Sequence, residues 1–213
     1  MPDLGRLLVL TDYTFQQRYS HAALARLALQ GGADLIEFRQ KHAPIRHRLK
    51  AAQETAAVCA QHKKPLLISD HIDVAMATGA EGVHLGPNDM PLDVARRLLG
   101  DEAIIGASAT SVSLAQRAEA MGASYIGFGP VNRTTSKSTS AETQGVEGIA
   151  RVCEAVSIPV FAIGGVTVDD VPALLGAGAH GVAVMTAIST AKHPEMATRA
   201  FRTAIDFFVE RSA

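Results

Sequence analysis

The chain has 213 residues, of which 47% are hydrophobic and 19% charged, with a formal net charge of −1. That length suffices for one sizeable core, and so small a charge argues against nucleic acid or an anionic membrane as the main partner. No apolar run approaches the ~20 residues of a membrane span, and the polar start Met1-Pro2-Asp3-Leu4-Gly5-Arg6 does not read as a signal peptide. Cys59 and Cys153 lie in separate helix-like stretches without metal-type spacing, as expected of small core residues in a reducing cytoplasm.

Short runs rich in Val, Ile and Leu alternate with longer segments of helical period. In chain order, strands are predicted near 7–10, 34–38, 66–69, 82–85, 103–106, 124–128, 159–163 and 181–184. Helices are predicted near 20–30, 46–61, 71–78, 91–99, 111–121, 146–155, 168–175 and 194–209. Near-continuous hydrophobicity within the strands fits burial on both faces. Gly32-Ala33, Gly79-Ala80, Gly122-Ala123 and Gly178-Ala179 each end a helical segment ahead of an even-numbered strand, where glycine suits a left-handed helix stop. Four such pairs of βα units predict an α/β fold, a TIM (β/α)8 barrel forming a single domain over 1–213; an open doubly wound sheet is the alternative.

In a closed parallel barrel all strand ends of one sense open on one face. Here those ends carry Glu37, Arg39, Gln40 and Lys41, then Ser69 and Asp70, then His84 and Asp89, then Ser108. Farther along come Thr134, Thr135, Ser136 and Lys137, then Gly164-Gly165, then Met185-Thr186. Arg39 and Lys41, two apart, point the same way if the strand continues. Arg46, Arg48 and Lys50 read instead as a solvated loop and helix start.

Asp70 and Asp89 end neighbouring strands, and two close carboxylates repel unless a cation or proton lies between them. Mg2+ takes one or two carboxylates and completes its shell with water and phosphate oxygens. Capping of the following helices is the competing use for each Asp. Gly164-Gly165 and Met185-Thr186 fall in the loops after strands seven and eight, the recurrent phosphate site of such barrels. The long polar stretch 130–144, with Arg133 and Lys137, reads as an active-site lid, with simple disorder as the alternative. His84 fits either an acid–base role or a satisfied structural histidine. No P-loop, dinucleotide fingerprint or Ser-His-Asp elbow occurs.

Taken together, several stretches resemble the thiamine-phosphate synthase family. They are Glu37-Phe38-Arg39-Gln40-Lys41, Ser69-Asp70, Val83-His84-Leu85-Gly86-Pro87-Asn88-Asp89 and Gly106-Ala107-Ser108. Gly129-Pro130-Val131 through Thr134-Thr135-Ser136-Lys137, Ala162-Ile163-Gly164-Gly165-Val166 and Ala183-Val184-Met185-Thr186-Ala187-Ile188 complete the set. The resemblance implies a transferase joining 4-amino-2-methyl-5-hydroxymethylpyrimidine diphosphate to hydroxyethylthiazole phosphate, with release of pyrophosphate. It also implies Mg2+ on Asp70 and Asp89, with Arg39, Lys41, Ser108 and Lys137 around the diphosphate. By the same likeness, Ser108 and Lys137 act in catalysis, and Gly165, Met185 and Thr186 seat the thiazole phosphate. Thr134, Thr135 and Ser136 would line the junction, and Glu37, Gln40 and Ser69 would contact substrate.

The chain departs from the family pattern, which usually has Gln at Glu37, Glu at Gln40 and Asn at Ser69. It also commonly has Gln at Pro87, an aromatic residue at Asn132 and Thr at Ser136. Two other readings are a thiazole tautomerase, which tends to carry His at Pro130, and a non-catalytic phosphometabolite-binding regulator. A homo-oligomer is compatible with each of these.

Overall fold

Four strands begin after the same helix stop. Gly32, Gly79, Gly122 and Gly178 take φ values of +99°, +66°, +85° and +97°. After each, the Ala amide donates five residues back: Ala33 to Ala28, Ala80 to Ala75, Ala123 to Ala118 and Ala179 to Leu174. That bond closes a helix end whose next residue is left-handed, a conformation glycine adopts without the steric cost of a Cβ. The repeat legible in the sequence is therefore a backbone device that turns helix into strand.

The structure, a computed structural model, describes residues 4–134 and 142–212. Its first half runs β1 (Leu7–Asp12), α1 (His21–Gln30), β2 (Leu35–Arg39), α2 (Ile45–Gln61), β3 (Leu66–Ser69), α3 (Ile72–Thr78), β4 (Gly82–Leu85) and α4 (Leu92–Leu99). Then follow β5 (Ile104–Ala109), α5 (Val112–Ala120), β6 (Tyr125–Phe128), α6 (Gly145–Ala155), β7 (Val160–Ile163), α7 (Val171–Gly176), β8 (Gly181–Val184), α8 (Thr186–Ser189) and α9 (Pro194–Ser212). The strands pair in parallel in chain order, and β8 pairs with β1. This closure overturns the alternative of an open doubly wound sheet.

Two strand ends and two helices stand out against expectation. β1 reaches Asp12 and β5 reaches Ala109, because their last residues still find partners in Arg39 and Phe128. Short polar ends such as these lack the apolar signal that marks a strand. The predicted helix over 168–175 is a 3-10 turn, Val168–Asp170, followed by α7. The four-residue α8 was not predicted; a single turn is too short to show a period.

Alternation along the strands separates two cores. Ile36 and Phe38 of β2 join the large cluster under the helices. Leu35 instead points inward and packs with Leu8, Leu10, Leu67, Ile104, Tyr125 and Phe161. That inner cluster fills the lower barrel. Two and four residues farther along the same inward rows stand Glu37 and Arg39 on β2, Ser69 on β3 and Ser108 on β5, all facing one cavity. Each of these three rows thus changes from apolar to polar as it climbs to the C-terminal rim. Among the described residues no helix is long and apolar enough to cross a membrane.

Candidate active site

The cavity at that rim has a volume of about 880 Å3, enough to hold two small phosphorylated molecules side by side. Twelve of the strand-end residues singled out from sequence line it: Glu37, Arg39, Lys41, Ser69, His84, Asp89, Ser108, Thr134, Gly164, Gly165, Met185 and Thr186. They come from β2, β3, β4, β5 and α8 and from the loops after β2, β4, β6, β7 and β8, so barrel closure is what gathers them. Thr135, Ser136 and Lys137 lie outside the described residues.

Asp70 and Gln40 do not line this cavity. Gln40 follows Arg39 with opposite parity, so it turns away from the interior, and its buried Oε1 has no hydrogen-bond partner among the described residues. Asp70 stands one step behind the wall: its Oδ2 accepts from Lys41 Nζ at 2.6 Å, and its other oxygen lies 3.4 Å from His71 Nε2. The backbone at Asp70 has φ +152°, a region that costs a non-glycine residue about 1–3 kcal/mol. That strain, at the tip of β3, holds the carboxyl against the neighbouring strand end.

Burial pushes the Asp70 carboxyl up, but the bond and charge of Lys41, the nearby His71 and a hydrogen bond shared with Asp89 outweigh it. The net result lies below the usual carboxylate value. Both acidic groups also act on Arg39: burial pulls its guanidinium down, while the Asp70 and Asp89 charges act in the opposite sense. Asp70, Asp89, Arg39 and Lys41 therefore form one charged cluster. Neither Asp caps a helix. The residue before α3 is His71 and the residue before α4 is Pro91, and neither end carries a side-chain cap. Asp89 Oδ2 instead accepts from the Gly86 amide at 2.6 Å, which folds the β4–α4 loop back on itself.

Two carboxylates that share one cluster repel unless a proton or a cation lies between them. Their oxygens suit Mg2+, which asks for one or two carboxylates and leaves the remaining positions to water and phosphate. The described residues contain no group of three or more His, Cys, Asp and Glu side chains that could hold a metal. The donor set thus fits a hard, partly hydrated cation better than a protein-caged transition metal.

Arg48 corrects another expectation. Instead of being solvated, it is buried, and donates from Nε to the Gln40 carbonyl at 2.8 Å and from a terminal nitrogen to the Lys41 carbonyl at 3.1 Å. It pins the loop that presents Lys41. Nothing in the local sequence separates it from Arg46 and Lys50, because its partners are backbone oxygens of a folded turn.

Across the cavity, Gly165 has φ +69°, and a Cβ there would stand 2.8 Å from the Arg133 carbonyl oxygen. Asn132 ties this turn down by donating to the Gly165 carbonyl at 3.1 Å and to Asp170 Oδ2 at 3.0 Å. The same Asp170 oxygen accepts from the Thr167 amide and hydroxyl at 2.8 Å. Beside it, Met185 precedes α8, so the first turn of a short helix opens onto the cavity next to Thr186. Backbone amides at these two loops supply the polarity an oxyanion needs.

The floor holds a polar network. His84 Nε2 lies 2.8 Å from Ser108 Oγ, its Nδ1 lies 2.8 Å from the Tyr125 hydroxyl, and Glu37 Oε2 lies 4.0 Å from that Nδ1. His84 thus stands on the cavity floor with both ring nitrogens engaged, as a satisfied histidine does.

A closed parallel barrel with a cationic, acid-paired rim on one side and two glycine- and amide-rich loops on the other defines an enzyme for phosphorylated small molecules. The chain belongs to the thiamine monophosphate synthase family, whose sequence profile it matches over residues 7–188. It is 56% identical over 203 residues to the thiamine-phosphate synthase of Salinibacter ruber, covering 95% of this chain and 89% of the relative. The Chloroflexus aurantiacus thiamine-phosphate synthase is 37% identical over 207 residues, covering 97% and 95%. Among solved structures, the thiamine phosphate pyrophosphorylase of Pyrococcus furiosus superposes with a TM-score of 0.88 at 35% identity, covering 96% of each chain. A 3-hexulose-6-phosphate synthase, at 21% identity and a TM-score of 0.67, covering 94% of this chain and 99% of its own, shares the fold.

Proposed function

We propose that this enzyme couples 4-amino-2-methyl-5-hydroxymethylpyrimidine diphosphate with hydroxyethylthiazole phosphate to form thiamine phosphate and pyrophosphate. The observation that carries the proposal is the division of one cavity into two anion-holding sides. Arg39, Lys41 and Asp89 line one side, with Asp70 behind Lys41, and Gly165, Met185 and Thr186 line the other. One side suits a metal-chelated diphosphate and the other a phosphate monoester. The space between them suits the two heterocycles.

Arg39 and Lys41 would hold the diphosphate, and Asp70 and Asp89 would hold Mg2+ beside it. When bound, Mg2+ would supply positive charge against the departing oxygens. The bond from the pyrimidine methylene carbon to the bridging oxygen breaks, and its electron pair leaves with the pyrophosphate. The thiazole nitrogen, held in line by its anchored phosphate, gives its lone pair to that carbon and forms the new C–N bond. No proton has to be removed at that step, so the site needs charge stabilisation and alignment more than a general base. By the family resemblance, Lys137 would follow the departing diphosphate and Thr134, Thr135 and Ser136 would border the junction. Tautomerisation of a thiazole would leave the paired carboxylates without a task.

The test is release of pyrophosphate with both precursors and Mg2+, compared with the same mixture lacking the thiazole phosphate. Release should require both organic substrates and stop with excess chelator. Release that ignores the thiazole, or a chelator-resistant reaction, would overturn the assignment.

A further inference from the structure

The polar network under the cavity has a member that does not reach the cavity at all. Tyr125 is fully buried and packs edge-on against Phe161, with ring centroids 5.4 Å apart. It belongs to the apolar cluster of the lower barrel, yet its hydroxyl meets His84 Nδ1 at 2.8 Å. His84 in turn meets Ser108, so one hydrogen-bonded chain crosses β6, β4 and β5 and ends at the cavity floor.

The barrel gives up side chains to make room for it. A Cβ on Gly106 would stand 2.2 Å from Tyr125 Cζ and 2.4 Å from its oxygen. One on Gly127 would stand 3.0 Å from His84 Cε1. Glycine weakens a strand interior, and two of them are placed where Tyr125 and His84 need space.

Burial first, and the charge of Glu37 second, push the Tyr125 hydroxyl well above its ordinary value, so it keeps its proton. A neutral phenol either donates to Nδ1 or accepts from it, and in each case the other ring nitrogen is left to Ser108 Oγ.

We propose that Tyr125 and His84 are positioning residues that hold the Ser108 hydroxyl in place against the pyrimidine diphosphate substrate. The inference rests on the coupling reaction proposed above and deepens it. Arg39 and Lys41 hold the diphosphate by charge, whatever group it carries. A hydroxyl fixed at the floor adds a directional contact that a point charge does not supply.

The test is a double-mutant cycle on pyrophosphate release. Tyr125→Phe keeps the ring and should lower kcat/KM about tenfold, the scale of one lost oriented hydrogen bond. Ser108→Ala should cost more, and the double variant should lie within about twofold of Ser108→Ala alone. Losses that multiply, or a Tyr125→Phe enzyme equal to wild type, would overturn the proposal. If Tyr125→Phe does not fold, His84 carries the same test. His84→Gln keeps an N–H for Ser108 and should retain most activity, whereas His84→Leu should fall to the Ser108→Ala level. A fully active His84→Leu enzyme would overturn the proposal.

A wild-type enzyme that releases no pyrophosphate removes the coupling reaction and this inference together. An active wild type with multiplying losses removes the inference alone.

Discussion

Arg39 donates to the carboxylate of Asp12, its direct neighbour in the β1–β2 register. The Asp12 side chain is 1% exposed and that of Arg39 17%, so the pair sits at the edge of the dry interior. Asp12 also accepts from the Thr14 amide at 2.8 Å, which fixes the carboxyl before it receives the guanidinium. One side of Arg39 is thereby anchored, while the residue still lines the cavity.

Asp12→Ala should therefore weaken the pyrimidine diphosphate more than the thiazole phosphate. The loss of one partner from a largely buried pair should cost about 3–5 kcal/mol of stability. In steady-state kinetics, KM for the diphosphate should rise about tenfold or more, the equivalent of 1.4 kcal/mol. An unchanged KM with normal stability would mean that Arg39 is held in place without Asp12.

Asp89→Asn should abolish turnover while leaving the far-ultraviolet circular dichroism unchanged, because the amide oxygen can still accept from Gly86. Calorimetric titration of Mg2+ in the presence of pyrophosphate should show affinity falling by about tenfold or more. Wild-type turnover in this variant would remove the proposed metal role.

Gly165→Ala should act on the opposite side of the cavity. The added Cβ would meet the Arg133 carbonyl oxygen at 2.8 Å and Asn132 Cβ at 2.9 Å, in a backbone with φ +69°. Strain of about 1–3 kcal/mol should displace the turn and raise KM for the thiazole phosphate about tenfold. Affinity for pyrophosphate should stay near wild type. A change confined to pyrophosphate would contradict the division of the cavity.

Stability should fall with acid through His21. Its burial lowers the imidazole pKa from 6.5 to about 4, and it rests on Phe38 with ring centroids 4.4 Å apart. Between those values the unfolded chain binds a proton that the folded chain refuses. The stabilisation is therefore complete above pH 6.5 and is lost as pH drops toward 4, up to about 3 kcal/mol. Urea midpoints at pH 7.5 and about pH 4.5 should differ more for wild type than for His21→Leu. Equal differences would show that His21 does not govern this acid limb.

Much of the barrel was legible because its signals are local. Apolar runs mark strands buried on both faces, and the four Gly-Ala pairs mark helix stops through backbone geometry alone. Arg39, Lys41, Asp89, Ser108, Gly165, Met185 and Thr186 could be placed on one rim because each follows an apolar run, and parallel closure sends all such ends the same way.

The tertiary structure decided what those local signals could not contain. Gln40 follows Arg39 directly but faces away, since pleating turns neighbouring residues to opposite sides of the wall. Arg48 is buried by two carbonyls that exist as partners only once the β2–α2 turn has formed. Asp12 becomes Arg39's anchor through the register of two strands, and Tyr125 reaches Ser108 through a histidine on a third. The sequence by itself determined which segments form strands and helices and which strand ends carry the polar groups, because burial and backbone conformation are properties of short stretches. Which polar group touches which was settled only when the barrel closed, because those contacts join residues far apart in the chain and depend on strand register and on space left by missing side chains.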